Sequence, residues 1–287
     1  QSVWRFIASK YGREKIGEIF QSMKRYGNAQ KGFEDALGMD FEELTEQWHK
    51  YIKKEYYPDV AGRDEVKDIA QRLTDHKKEK NFYNVSPTIS PDGSHIAVLS
   101  DRSGYMDIYL LDAISGKKIK RLIKGNRSID FEELKFLQPG INWSPDSKKI
   151  VIAAKAGSSD ALYLIDVKSG KQEKIPFELD GVFTASWSPD GNKLAFVGNE
   201  GGASDIYSYD LVSKELSNLT NDVFSDTEPS WSPDGSQIVF ASDRGKNIDN
   251  QSISVKEMIS HNYSQKNIYT INLDTKKIVQ ITDTEYN

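Results

Sequence analysis

The sequence predicts a mainly β protein: a β-propeller of four-stranded antiparallel blades, preceded by a small α-helical segment. Three observations carry this. One string recurs four times, as Ser90-Pro91-Asp92-Gly93, Ser144-Pro145-Asp146-Ser147, Ser188-Pro189-Asp190-Gly191 and Ser232-Pro233-Asp234-Gly235. The copies stand 54, 44 and 44 residues apart, and a period near 44 belongs to blades, solenoids or arrays. Each copy lies among short runs rich in β-branched and aromatic residues, four to a repeat, which is the make-up of a propeller blade. Solenoid repeats rarely carry four strands.

Composition sets the outer limits. The chain has 287 residues, 37% hydrophobic and 28% charged, ordinary values for a globular protein. No stretch approaches the roughly 20 apolar residues of a membrane span. Net charge is −5, and no basic stripe of the kind that marks a nucleic-acid binder is present. The basic clusters Lys77-Lys78-Glu79-Lys80 and Lys117-Lys118 read as solvated turns. Cysteine is absent, so there is no disulfide frame, Cys-ligated zinc site or thiol nucleophile. The opening Gln1-Ser2-Val3-Trp4, without Met or a secretion signal, suggests a processed piece.

Residues 1–56 form the helical segment. Apolar residues fall at helical spacing: Phe6 and Ile7; Ile16, Ile19, Phe20 and Met23; Phe33 and Leu37; Phe41, Leu44, Trp48 and Ile52. Gly12, Gly27 and Gly38 punctuate three or four short helices, and Asp40 is placed to cap the last. Trp4, Phe33 and Trp48 read as core. Tyr57-Pro58-Asp59 is expected to end the helices and open a linker over 57–68. The propeller then occupies 69–287. Ala70 to Thr74, in the run Ile-Ala-Gln-Arg-Leu-Thr-Asp-His, matches the outer strands at Leu216 and Ile278. It is therefore expected to be the outer strand of a further blade. That leaves four visible blades of an incomplete ring, with roughly 80 to 180 residues of C-terminal blades to add. The competing expectation is a helix over Asp64 to His76, with four blades closing alone.

Within each blade the Pro presets φ and the Gly suits the end of a type I turn. Asp92, Asp146, Asp190 and Asp234 are the turn acids, and Ser147 replaces Gly in the second copy. After the turn come a first run (Ile96, Ile150, Leu194, Ile238), a second holding Tyr (Tyr109, Tyr163, Tyr207, Tyr269), and a turn to a third. Trp143, Trp187 and Trp231 precede three of the turns, with Ile89 in the first copy. Spacing exposes two insertions, about 10 residues around 126–137 and 18 around 245–265. With strands labelled a to d from the centre outward, the first insertion is d-to-a and the second b-to-c. Parity puts both on one face, opposite the repeated turns. Long loops on one face of a rigid scaffold are where binding resides; padding of the rim has equal weight.

The four repeats resemble the TolB-like family of propeller repeats, over about Ile69 to the end. That resemblance implies the fold and an envelope or periplasmic location, and it says little of function. The pieces Tyr11-Gly12, Ala36-Leu37-Gly38 and Phe41-Glu42-Glu43-Leu44, ending at Trp48, resemble the helical tail of a gluzincin-type peptidase domain, a family that sometimes carries such a propeller. Its zinc motif is HExxH. His49, His76, His95 and His261 are the four histidines, and none is followed by Glu. The resemblance therefore implies a catalytic half upstream of Gln1.

No G-x-S-x-G elbow, P-loop or G-x-G-x-x-G is present, so neither a catalytic residue nor a cofactor or metal ligand is assigned. Asp107, Asp160 and Asp205 recur before the Tyr run and read as structural. Asp101-Arg102 and Asp243-Arg244 read as local ion pairs or turn contacts. The expected function is a non-catalytic protein- or peptide-interaction scaffold. Its candidate contacts are Asp130, Glu132 and Glu133 in the first insertion and Lys256, Glu257, His261 and Tyr263 in the second. The alternative is the propeller and helical tail of a larger zinc peptidase. Neither nucleic acid nor a membrane span is expected, and strands at the edge of a broken ring invite pairing between chains.

Overall fold

The computed structural model describes residues 2–125, 131–134, 140–157, 159–248 and 254–283. They fall into two compact units, Gln1–Gln71 and Arg72–Asn287.

The first unit holds α1 (Ser2–Tyr11), α2 (Glu14–Tyr26), α3 (Ala29–Leu37), α4 (Phe41–Val60) and the single turn α5 (Val66–Ile69). Its core is Phe6, Ile7, Ile19, Phe33 and Leu44, with Trp4 and Trp48 packed on it. The helix ends are chemically marked. Asn28 accepts the Lys31 amide and Asp40 that of Glu43, while Gly27 and Gly38 take the left-handed cap at φ 61° and 72°. Helix α4 differs from expectation, because it runs through Pro58 to Val60. Pro58 lies in the last turn, where its missing N–H deprives only the carbonyl of the exposed Lys54, which water can serve.

The second unit opens with α6 (His76–Glu79) and then lays down four antiparallel sheets in sequence order. The first is β1 (Asn84–Ile89), β2 (His95–Ser100), β3 (Asp107–Asp112) and β4 (Lys118–Ile123). In the second, β5 (Glu133–Leu134) and β6 (Asn142–Trp143) both pair with β7 (Lys149–Ala156), followed by β8 (Ser159–Asp166) and β9 (Gln172–Pro176). The third is β10 (Gly181–Trp187), β11 (Lys193–Glu200), β12 (Ala203–Asp210) and β13 (Leu216–Asn218). The fourth is β14 (Asp226–Trp231), β15 (Gln237–Ser242), β16 (Asn267–Asn272) and β17 (Ile278–Gln280), with α7 (Val255–Ser260) between β15 and β16.

Each repeated turn is held by the same three bonds. The Ser hydroxyl donates to the Asp carboxylate, at 2.6, 2.7, 2.5 and 2.6 Å along the chain. That carboxylate accepts the amide two residues on, and the Ser oxygen accepts the amide five residues on. Hydrogen bonds to the ionised form hold the turn acids below the usual carboxylate range. Asp92 and Asp234 fall to about 2, with the Ser90 and Ser232 hydroxyls the largest cause. Ser147 adopts φ 61° in place of Gly, and its hydroxyl accepts the Asp92 amide, tying the second turn to the first.

Sheets pack face to face through apolar clusters: Leu99, Ile108 and Leu110 against Trp143, Ile152 and Tyr163; then Leu162 and Leu164 against Trp187 and Phe196; then Val197 and Ile206 against Phe240 and Tyr269. The Trp also bonds across the junction. Trp143 Nε1 donates to Thr88 O and Trp231 Nε1 to Ser186 O. At the middle junction Asn142 Oδ1 accepts the Trp187 amide instead.

Each continuous inner strand carries a bulge. It falls at Ser86, Thr184 and Glu228, four residues before the turn Ser, all at positive φ. Gly140 holds that place in the second sheet, and a Cβ there would stand 2.6 Å from Thr184 Cα. Close approach of two inner strands therefore demands glycine.

Two expectations about the ring are corrected. Residues 70–75 form no strand, and Asp64 to His76 is helical only over Val66–Ile69 and at its last residue. Leu73 lies with its carbonyl against Gly116 in the β3–β4 turn and pairs with no strand. The four sheets form an unclosed arc. Ile268 on β16 is 43% exposed, while its counterparts Ile108, Leu162 and Ile206 are buried at the junctions.

Candidate interaction face

Strand order fixes the two ends of the arc. The β1–β2 and β3–β4 turns and their equivalents share one end; the b-to-c and d-to-a connections share the other. The insertion between β15 and β16 therefore lies at the second end, as does the link from β4 to β5.

The first insertion is built differently from a simple loop. Residues 131–134 join the inner edge of the second sheet: the Glu132 amide donates to Lys155 O, and Glu133 and Leu134 pair with Lys155 and Ala154. Phe131 and Leu134 are buried, the Phe131 ring packing on Tyr163 at 4.6 Å and tilted by 48°, while Glu132 and Glu133 are exposed. The extra chain thus falls on both sides of β5 in the sequence. Asp130 lies outside the described residues.

The second insertion is tied down at both ends. At the entrance Gly245 O accepts the Tyr269 hydroxyl at 2.5 Å, and Arg244 O accepts the Asn247 amide at 3.1 Å. At the return, His261 Nε2 meets Asp243 O at 2.5 Å, with the ring between Phe224 and Tyr263 (5.2 and 4.7 Å). Helix α7 has a capping box, with Ser254 and Glu257 serving each other's amides. The Ser254 bonds hold the Glu257 carboxyl below its usual range. Glu257 is therefore spent on the helix and His261 on anchoring. Lys256 is exposed, and Tyr263 is exposed while its hydroxyl donates to Met258 O. Ile259 is 81% exposed. The two sets of candidate contacts belong to the second and fourth sheets, with the third between them, and no described hydrogen bond or ion pair joins them.

Beneath the second insertion sits a polar cluster of which the sequence named Asp205 and Arg244 but not Asp222 and Asp226. Arg244, 1% exposed, donates from Nη2 to both oxygens of Asp226 at 2.8 and 2.7 Å and from Nε to Ser242 Oγ at 3.0 Å. Its guanidinium lies over Phe224, Phe240 and Tyr269. Asp222 Oδ2 stands 2.9 Å from Nη1 without an aligned hydrogen bond. Burial pushes Asp226 up to about 6 and raises Asp222, with Arg244 pulling both the other way. Oxygens of Asp205, Asp222 and Asp226 lie within 4.8 Å of one another, and the cation among them is the Arg244 side chain. The Arg244 guanidinium already stands against two of them.

The first sheet has a smaller version. Arg102 donates to Ser100 Oγ (3.1 Å) and Asn84 Oδ1 (3.0 Å), pairs with Glu79 at 3.0 Å and lies over Tyr109. Asp101 accepts the Phe82 and Tyr83 amides as Asp243 accepts that of Ser225. The shared triplets Ser100-Asp101-Arg102 and Ser242-Asp243-Arg244, with Asn84 and Asp226 each six residues before the turn Ser, are the signal that locates both. The acids before the Tyr run also serve the backbone: Asp107 accepts the Gly125 amide, Asp160 that of Val182 and Asp205 that of Asp222.

Residues 136–256 match the family model of PD40, the TolB beta propeller domain. Among solved structures, TolB from Acinetobacter baumannii is similar at 22% identity and TM-score 0.53, over 71% of this chain and 44% of that one. A putative TolB from Agrobacterium tumefaciens is similar at 20% identity and TM-score 0.53, over 69% of this chain and 66% of the other. The chain thus spans less than two thirds of either structure's length. No curated protein matches the sequence. At these identities the likeness is one of fold: a TolB-like propeller arc, with a helical unit beside it in the sequence.

Proposed function

We propose that the chain is a non-catalytic scaffold that binds a protein or peptide at the end of the arc bearing the insertions. The observation that carries this is the second insertion. It is long, has its own capped helix, is anchored at both ends, and still leaves Ile259, Tyr263 and Lys256 in solvent. Exposed apolar and aromatic side chains on a braced loop suit a protein contact, because little order is lost on binding. Glu132 and Glu133 add acidic groups on the second sheet for a basic stretch of the partner. An envelope location rests on the resemblance to TolB-like propellers and belongs to the same proposal; the peptidase parent is the alternative to it.

The test is to replace 247–264 with a short Gly-Ser linker and compare partner capture in the native host with that of the full chain. Capture should be lost while circular dichroism and thermal unfolding of the sheets are retained. Undiminished capture by the shortened chain moves binding to another surface.

A further inference from the structure

The second insertion begins at the residue after Arg244, so whatever holds Arg244 holds its entrance. Arg244 faces more negative charge than it can balance. Asp222 from the β13–β14 link and Asp226 from β14 bring two carboxylates to one guanidinium in a buried place, and an oxygen of Asp205 from β12 lies within 4.8 Å of theirs. Asp205 is fixed by Thr220 Oγ1, Asn218 Nδ2 and the Asp222 amide (3.1, 2.9 and 3.2 Å). Charges left unbalanced in such surroundings are relieved by binding a proton.

We propose that the Asp222–Asp226 pair on Arg244 is a proton-operated latch on the two described ends of the insertion, 245–248 and 254–265, closed with one proton bound and loosened when that proton leaves. The proton belongs to the cluster and not to one residue. Mechanical linkage runs through groups already described. Phe224 lies between the Arg244 guanidinium and the His261 ring, and Tyr269 lies under Arg244 and donates to Gly245 O. Among the described residues, the other titratable groups facing the cluster are these. Tyr269 on β16 is pushed up to about 12 by burial, with Asp283 beside it; Tyr207 stands by Asp205; Asp243 and His261 close the loop.

The direction follows from linkage. Burial raises the folded pKa of Asp226 to about 6. The folded cluster therefore holds a proton that an opened one releases. Its contribution is fully present below the ordinary carboxylate range near 4 and is lost as pH rises through about 6. Between pH 5.5 and 7.5, a local opening that frees the group should become about fourfold easier.

The experiment is hydrogen exchange by mass spectrometry on the full chain at those two pH values, corrected for intrinsic exchange. Protection over 245–266 should fall about fourfold on going to pH 7.5, with the first sheet unchanged. Asp226→Asn should hold the acid-side protection at both pH values, and His261→Gln should keep the wild-type response. If Asp226→Asn does not fold, Asp222→Asn carries the same expectation. A response equal in wild type and the Asn variant, or one abolished by His261→Gln, overturns the proposal. The latch depends on the interaction-face reading only for its use. Exchange reports on it whether or not a partner is captured.

Discussion

The first and fourth sheets turn the same corner with the same three residues and spend them differently. Ser100-Asp101-Arg102 closes a short link, and its Arg meets one carboxylate, Glu79, and the neutral Asn84. Ser242-Asp243-Arg244 opens an 18-residue insertion, and its Arg meets Asp226 and Asp222, with Asp205 beyond. A Ser-Asp-Arg corner is thus a repeat device for fixing the start of the inner strand. Replacing Asn84 by an acid at position 226 turns it into a buried charged cluster. The corner with the larger electrostatic load is the one that carries the larger loop.

This comparison can be broken by removing the arginines. Arg244→Ala leaves buried carboxylates without their counter-charge and should cost about 3–5 kcal/mol. Arg102→Ala, whose carboxylate partner is partly in solvent, should cost about 1–2 kcal/mol, nearer to a hydrogen-bonded charge than to a buried pair. Urea unfolding of the two variants measures this, and equal losses would remove the distinction.

The glycines sharpen the contrast between a junction and a free turn. Gly140→Ala forces a Cβ onto the Thr184 backbone and should cost roughly 2–3 kcal/mol. Gly93→Ala meets open space at φ +72° and should cost roughly 1 kcal/mol, the conformational strain alone. Thermal midpoints rank the two.

In the repeated turns the two sheets should behave alike. Ser90→Ala and Ser232→Ala each remove the hydroxyl that serves both the acid and an amide, and should each lose about 1 kcal/mol. The same turns set the smallest effect. Asp92 and Asp234 are lowered to about 2. Their contribution is therefore present above the ordinary carboxylate range near 4 and is lost as pH falls toward about 2. Asp92→Asn and Asp234→Asn should flatten the acid limb of stability equally. A difference between them would mean the turns are not equivalent.

The repeat made the sheets legible because turn chemistry is local: Ser, Pro, Asp and Gly at fixed spacing specify the bend before any packing is known. Strand parity then gave the end of the arc on which the second insertion lies. What escaped was decided at a distance. Ala70 to Thr74 shares the composition of an outer strand, yet it pairs with no sheet, and the Leu73 carbonyl lies against Gly116. The inner strand of the second sheet is split because Phe131 and Leu134 find burial beside Tyr163. Pro58 is tolerated because it falls in a final, exposed helical turn. Asp222 and Asp226 become a site only when the register of β14 on β15 sets Asp226 opposite Ser242, two residues from Arg244. The candidate contacts divided for a similar reason: capping claims Glu257, and the Asp243 carbonyl claims His261.

The central claim, that partners dock on the insertion end of the arc, is tested most directly by site-specific photo-crosslinking in the native host. One photoreactive residue would replace Ile259 in α7, and another would replace Val212, equally exposed at the opposite end. The account predicts a discrete protein adduct from position 259 and none from 212. Adducts from 212 with none from 259 would contradict it.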